Sequence, residues 1–123
     1  MGDMGKRGDR FYIEVSERGR VVDVRATGEV DIATVGALRS VLWAAPADSV
    51  LRLDLTGVRV LSAAGVRALV AAHLRLRAGG GELVLVRPGP TVARVLRATG
   101  LHRVVRVVTD APDPIADRAL IAA

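Results

Sequence analysis

A chain of 123 residues with 50% hydrophobic content has the size of one ordinary domain and enough apolar material for a single core. Cysteine is absent, which excludes disulfides, thiolate metal sites and a cysteine nucleophile, and fits a reducing compartment. The formal net charge of +5 raises nucleic acid and anionic membranes as partners, yet the arginines are scattered over nearly every predicted element, and Phe11, Tyr12 and Trp43 are too few aromatics for a base-stacking platform.

The Gly-rich, charged residues 1–9 read as a loose tail and not as a secretory signal, which sets the domain at residues 10–123. No segment approaches the ~18 uninterrupted apolar residues of a membrane helix, so a cytoplasmic protein is expected. Alternating apolar and polar residues over 11–15 and 21–26, flanking Glu17-Arg18-Gly19-Arg20, predict an antiparallel hairpin. Asp31 is suited to cap a helix that carries Ile32, Val35, Leu38 and Leu42 at helical spacing and ends near Pro46. Residues 50–55 are short, apolar and branched, as in a strand buried in a covered sheet, and Gly57 lets the chain turn. After Ser62, the residues Val66, Leu69, Val70, His73 and Leu76 predict a second helix with one apolar stripe, closed by Gly79-Gly80-Gly81. A strand over 82–86 follows, and then Pro88-Gly89-Pro90 opens a helix with Val92, Val95 and Leu96, for which Gly100 is a left-handed terminator. A last strand is expected over 104–108, and Asp113-Pro114 starts a closing helix to about Leu120. Strands alternating with helices in this order demand parallel pairing with right-handed crossovers, hence an α/β domain.

The most informative stretch joins Asp54-Leu55-Thr56-Gly57-Val58 to Ser62-Ala63-Ala64-Gly65-Val66, an apolar strand leading through a polar corner to a helix that begins with small residues. It resembles the signature of the STAS family, the anti-sigma factor antagonists, where Asp-Leu-Ser-Gly-Val leads to Asp-Ser-Ser-Gly-Leu. Gly28-Glu29-Val30-Asp31, the glycine-rich turn before Glu82-Leu83, and Thr99-Gly100-Leu101 are similar to family landmarks in the same order, so the resemblance spans residues 11–108. It implies a single domain with a mixed sheet, antiparallel at its N-terminal hairpin and then parallel, covered by about four helices. It also implies a partner, a serine kinase-type anti-sigma factor, whose capture frees a sigma factor and so regulates transcription. The implied docking face combines the corner at 28–31 with the helix start at 62–68, which makes Glu29, Asp31, Thr56, Arg59, Ser62, Ala63, Ala64, Gly65 and Arg67 the candidate partner-binding residues. The family's phosphorylated serine, the second of its pair, falls on Ala64, and the first falls on Ala63. No hydroxyl remains at either position, so docking is expected to escape the family's phosphorylation switch.

A phosphate adds about −1.5 to −2 charges and would disrupt an interface that lacks a counter-charge. Ser62, standing where the family has aspartate, reads as a helix cap. It points about 200° around the helix from position 64, so it does not simply inherit the switch. Thr56 reads as a turn-stabilising hydroxyl, and Asp54 as a strand-end turn residue. Arg59 and Arg67 bracket the corner, where they could meet an acidic partner surface and speed association.

No cofactor, metal or catalysis is expected. His73 reads as a core histidine, His102 lies in a loop, and neither has a metal-ligand spacing. Gly79-Gly80-Gly81 follows a helix and lacks a phosphate-loop lysine, and no nucleophile elbow occurs. Two other readings stay open: a scaffold subunit that stacks with other STAS domains or with itself, and a small-ligand sensor that uses the corner as a pocket.

Overall fold

The computed structural model describes residues 6–7 and 11–109. Six strands form one sheet in sequential order: β1 (Lys6–Arg7), β2 (Phe11–Arg18), β3 (Val21–Val30), β4 (Val50–Leu61), β5 (Glu82–Val86) and β6 (Arg106–Val108). The pairings β1-β2 and β2-β3 are antiparallel, and the remaining three are parallel. The crossovers are α1 (Val35–Ala44), α2 (Ala63–Ala78), and α3 (Pro90–Thr99) followed by a 3-10 turn at Leu101–Arg103. Right-handed crossovers between strands that follow one another in space put the three described helices on one face. The core agrees: Val22, Val24, Ala26, Leu51, Leu53, Leu55, Leu83 and Leu85 share one cluster with Leu38 and Leu42 of α1, Leu69 and Leu76 of α2, and Val92 and Leu96 of α3. This is the α/β architecture expected. Three of the roughly four α-helices are described, and the closing helix predicted for 113–120 lies outside the described residues. So does most of the segment read as a tail, of which Lys6 and Arg7 pair with Ile13 and Tyr12.

Several boundaries differ from the sequence reading, each for a local reason. The hairpin strands run on to Arg18 and Val30, because Gly19 at φ +60° confines the reversal to two residues. α1 starts at Val35 instead of directly after Asp31, and Ile32 is 79% exposed instead of joining the core stripe. The last strand shrinks to three residues because Gly100, at φ +77°, starts the 3-10 turn, which anchors Leu101 and Val105 in the core. On α2 the buried stripe is Ala64, Gly65, Ala68, Leu69, Ala72 and Leu76, whereas Val70 is exposed and His73 only half-buried. Small residues win this face because the helix lies close to the sheet: a Cβ on Gly65 would stand 2.6 Å from Leu61 Cδ1 and 2.8 Å from Val30 Cγ1.

The expected turn at Gly57 is absent, and β4 continues through it to Leu61. Its register against β3 shifts twice, between Arg25 and Thr27 and between Gly28 and Glu29. At each shift β4 carries one residue more than β3, which is the count of a β-bulge. Burial follows the shifts: Leu51, Leu53 and Leu55 alternate inward, and the next buried positions are Val58 and Leu61, three apart. The residues that signalled a corner therefore build the first bulge. Asp54 Oδ1 accepts the Thr56 amide at 2.9 Å and the Thr56 hydroxyl at 2.6 Å, while Gly57 admits the Thr27 side chain, 3.1 Å from where a Cβ would sit.

The face away from the helices carries opposed charges across neighbouring strands. Asp23 lies 2.8 Å from Arg18 and 3.5 Å from Arg52, and Asp54 lies 2.9 Å from Arg87 and 3.9 Å from Arg25. Pairs this exposed each contribute little. Asp54 is the enclosed member, with its side chain 17% exposed. Burial pushes its carboxyl upward, but the hydrogen bonds from the Thr56 hydroxyl and amide, together with Arg87, outweigh that and hold it below its ordinary value.

Two stability measurements follow. Leu53→Ala, at a fully buried position of the central strand, is expected to lower unfolding free energy by about 2–5 kcal/mol in urea titrations, since it removes methyl groups from a packed interior. Because the Asp54 carboxyl is depressed in the folded state, its contribution is present above about pH 4 and disappears as the pH falls through the lower folded value. Asp54→Asn should therefore be less stable than the parent at pH 7, with the gap closing in urea melts taken at successively more acid pH. A gap independent of pH would exclude the carboxylate as its source.

Candidate functional site

The corner is assembled where β3 and β4 end side by side. Glu29 pairs in register with Val60 and Val30 with Leu61, and the Ser62 amide then donates to the Val30 carbonyl at 2.9 Å, extending the ladder to the start of α2. The two chain segments that leave this edge, 31–34 and 62–67, are thereby held next to each other. The carboxyl ends of parallel strands in open α/β sheets are where such folds present their binding crevices.

On the β3 side a closed set of hydrogen bonds fixes the turn. Asp31 Oδ1 accepts the amides of Ala33 at 2.9 Å and Thr34 at 3.1 Å. The Thr34 hydroxyl accepts the Asp31 amide at 3.0 Å and donates to the Glu29 carbonyl at 2.7 Å. The Asp31 backbone carbonyl accepts from Thr34 and Val35. Asp31 thus caps the turn that precedes α1, and Thr34 occupies the helix boundary. Ile32 and Ala33 are left pointing into solvent.

On the β4 side Ser62 is extended, with φ −82° and ψ 174°, and its hydroxyl accepts the Gly65 amide at 3.4 Å, the capping role that its residue type favours. Ala63 and Arg67 are exposed, whereas Ala64 is only 8% exposed and, like Gly65, faces the sheet. Arg59 is exposed and reaches to within 3.7 Å of Glu29, bridging the two strand ends. No acidic residue stands in the first turn of α2 itself.

Of the candidate residues, Glu29, Asp31, Arg59, Ser62, Ala63 and Arg67 gather around this edge, and Ala64 and Gly65 form its inner wall. Thr56 stands apart: it is exposed farther back along β4, bonded to Asp54 at the first bulge. The sequence reading overlooked Thr34, Ile32 and Val60, which is 41% exposed. Helical spacing had assigned Ile32 to the core, and the second bulge, which turns Val60 outward, has no signal in residue type alone. Among the described residues no cluster of three metal-ligating side chains occurs, and no helix is long and apolar enough to cross a membrane. A cleft of about 330 Å³ lies on the open face of the sheet beside Arg52, Asp54 and Arg87, away from the corner.

A STAS domain model matches residues 12–113. The anti-sigma-B factor antagonist of Listeria monocytogenes is 31% identical over 98 residues, spanning 77% of this chain and 86% of the relative. The crystal structure of an anti-sigma factor antagonist from Mycobacterium paratuberculosis superposes with a TM-score of 0.74 at 30% identity, covering 94% of this chain and 96% of that one. The Bacillus cell fate determinant SpoIIAA, an anti-sigma factor antagonist solved in unphosphorylated and phosphorylated forms, shares the fold: the unphosphorylated form gives a TM-score of 0.72 at 21% identity over 90% of this chain and 97% of its own. With the motif, the topology and these likenesses in agreement, the chain belongs to the STAS family.

Proposed function

We propose that this chain is an anti-sigma factor antagonist that binds a serine kinase-type anti-sigma factor through the β3–β4 corner and so releases a sigma factor. It acts by binding, without catalysis, in the cytoplasm, and it regulates transcription of the stress-response kind. Relatives at 31% and 30% identity named as antagonists support the class of function. The observation that carries the reading of the site is the corner itself: two strand ends locked by the bond from Ser62 to Val30, presenting Ala63, Arg59 and Arg67 to solvent. Ala63 and Ala64 leave nothing for a kinase to modify at the family's paired serines. In this reading the bound state persists when ATP is present, and control must come from abundance or from the partner.

The experiment is capture of the kinase-type anti-sigma factor on immobilised protein, followed by incubation of the purified pair with ATP and intact-mass measurement. The parent chain should retain its partner and gain no phosphate. Ala64→Ser restores the missing hydroxyl; it should gain a phosphate on the 62–69 peptide and lose the partner. Phosphate on that peptide of the parent chain would overturn the escape from switching. Stable stacking of the chain with itself or with other STAS domains, without kinase binding, would favour the scaffold reading.

A further inference from the structure

We propose that the outer surface of the helical layer docks on an anionic lipid bilayer. The inference stands apart from the corner and rests on how the fold sorts the charges of this basic chain.

Along the sequence the arginines look scattered, but the sheet divides them into two populations. Each ion pair described joins groups on strands or, for Arg87, on the loop after β5. None of these pairs involves a helix. α1, α2 and α3 carry Arg39, Arg67, Arg75, Arg77, Arg94 and Arg97 and not one aspartate or glutamate. All of them but Arg75 are exposed. The acidic side chains described, from Glu14 to Glu82, lie on strands or in connecting loops. Asp31 and Asp48 stand in the loops before and after α1, which runs back from the carboxyl ends of the strands to their amino ends, so the two are at opposite rims of the layer. Between those rims the positive charge meets no acidic side chain on the helices, and a chain of formal charge +5 carries its excess on this side.

The same surface exposes apolar side chains. At about 3.6 residues per turn, Val70 and Leu74 lie one turn apart, opposite the buried Ala72 and flanked by Arg67 and Arg77. Both are exposed, Leu74 to 59%. Trp43 of α1 is exposed as well, and its ring lies 5.8 Å from the guanidinium of Arg75, which also donates to the Ala45 carbonyl at 2.7 Å. The ring is thereby held at the seam between α1 and α2.

The sign of the charge restricts the occupant to an anionic surface, and the apolar side chains choose among such surfaces. Nucleic acid offers phosphates to the arginines but nothing to Val70 and Leu74, and a single tryptophan makes no stacking platform. A bilayer meets both needs. Its headgroups face the arginines, and the apolar layer just beneath them receives leucine and tryptophan, the mixture carried by helices that lie in the interface. Anionic lipids also diffuse, so they gather under basic groups spread over three helices, where a protein partner would need acidic residues in a matching arrangement. In this orientation the open face of the sheet points away from the bilayer.

The test is flotation of the purified full chain with vesicles of phosphatidylcholine alone and with vesicles in which about one third of the lipid is phosphatidylglycerol. The chain should float with the anionic vesicles and not with the neutral ones, and less so as added salt screens the attraction. Trp43 is the one tryptophan of the chain, so its emission should shift to the blue with the anionic vesicles alone. Arg77→Gln combined with Arg94→Gln should lower the partition coefficient by about thirtyfold, and Leu74→Asp by about tenfold, with thermal midpoints unchanged. Arg18→Gln combined with Arg25→Gln removes the same charge from the open face and should cost no more than about threefold. Failure of the parent chain to float with anionic vesicles, or an equal loss from the two double variants, would overturn the proposal. Retardation of duplex DNA by the chain at a salt concentration where vesicles are not bound would assign the face to nucleic acid and overturn it too.

Discussion

The parallel pairing of β3 with β4 is the constraint on which the rest of this molecule depends. It sets the inward alternation that gives the helices a common apolar face, and it brings together two chain segments that leave the sheet at the same edge. The amide of Ser62 bonded to the carbonyl of Val30 is the last rung of that ladder and the first fixed point of α2. Were this pairing to slip by one residue, Leu51, Leu53 and Leu55 would turn toward solvent and the corner would come apart, because a strand's side chains alternate with a period of two.

The sheet's two faces divide the work. One is packed by the three described helices, and the close approach of α2 through Gly65, Ala68 and Ala72 fixes how far Ala63 and Arg67 project. The other holds interleaved arginines and aspartates, with Asp54 receiving Thr56 and Arg87 at once. Arg87 takes part from a left-handed backbone position, φ +53°, unusual for a residue with a side chain, while its amide bonds to the Val108 carbonyl at 2.6 Å. The enclosed carboxylate thereby links β4 to the loop that follows β5.

Most of the fold was legible in the chain because its signals were redundant. Alternation over 11–15, the apolar run from Val50, the glycines after α2 and Gly100 all act through local chemistry, and each lies where it was expected. The site was legible only in part. Ser62 as a cap and Asp31 as an acceptor of backbone amides follow from residue type, and the absence of hydroxyls at 63 and 64 is a statement about sequence alone. What could not be seen was set by tertiary geometry. Ile32 fits a helical stripe by spacing, yet the bonds between Asp31 and Thr34 delay the helix and expel it. Val70 looks like a core residue, yet it is exposed, while Ala64, Gly65, Ala68 and Ala72 join Leu69 and Leu76 against the sheet. Thr56 and Gly57 look like a corner, and they build a bulge.

Those bulges bear on how this chain tolerates change in length. β4 holds two residues for which β3 offers no counterpart, so the inward set changes from Leu51, Leu53 and Leu55 to Val58 and Leu61. Deleting a single residue between 55 and 60 would leave every amino acid downstream chemically intact and still rotate Leu61 out of the interior, separating α2 from the strand that delivers it. Within this stretch the fold depends on the number of residues as well as on their identity, because the count alone decides which side chains reach the interior.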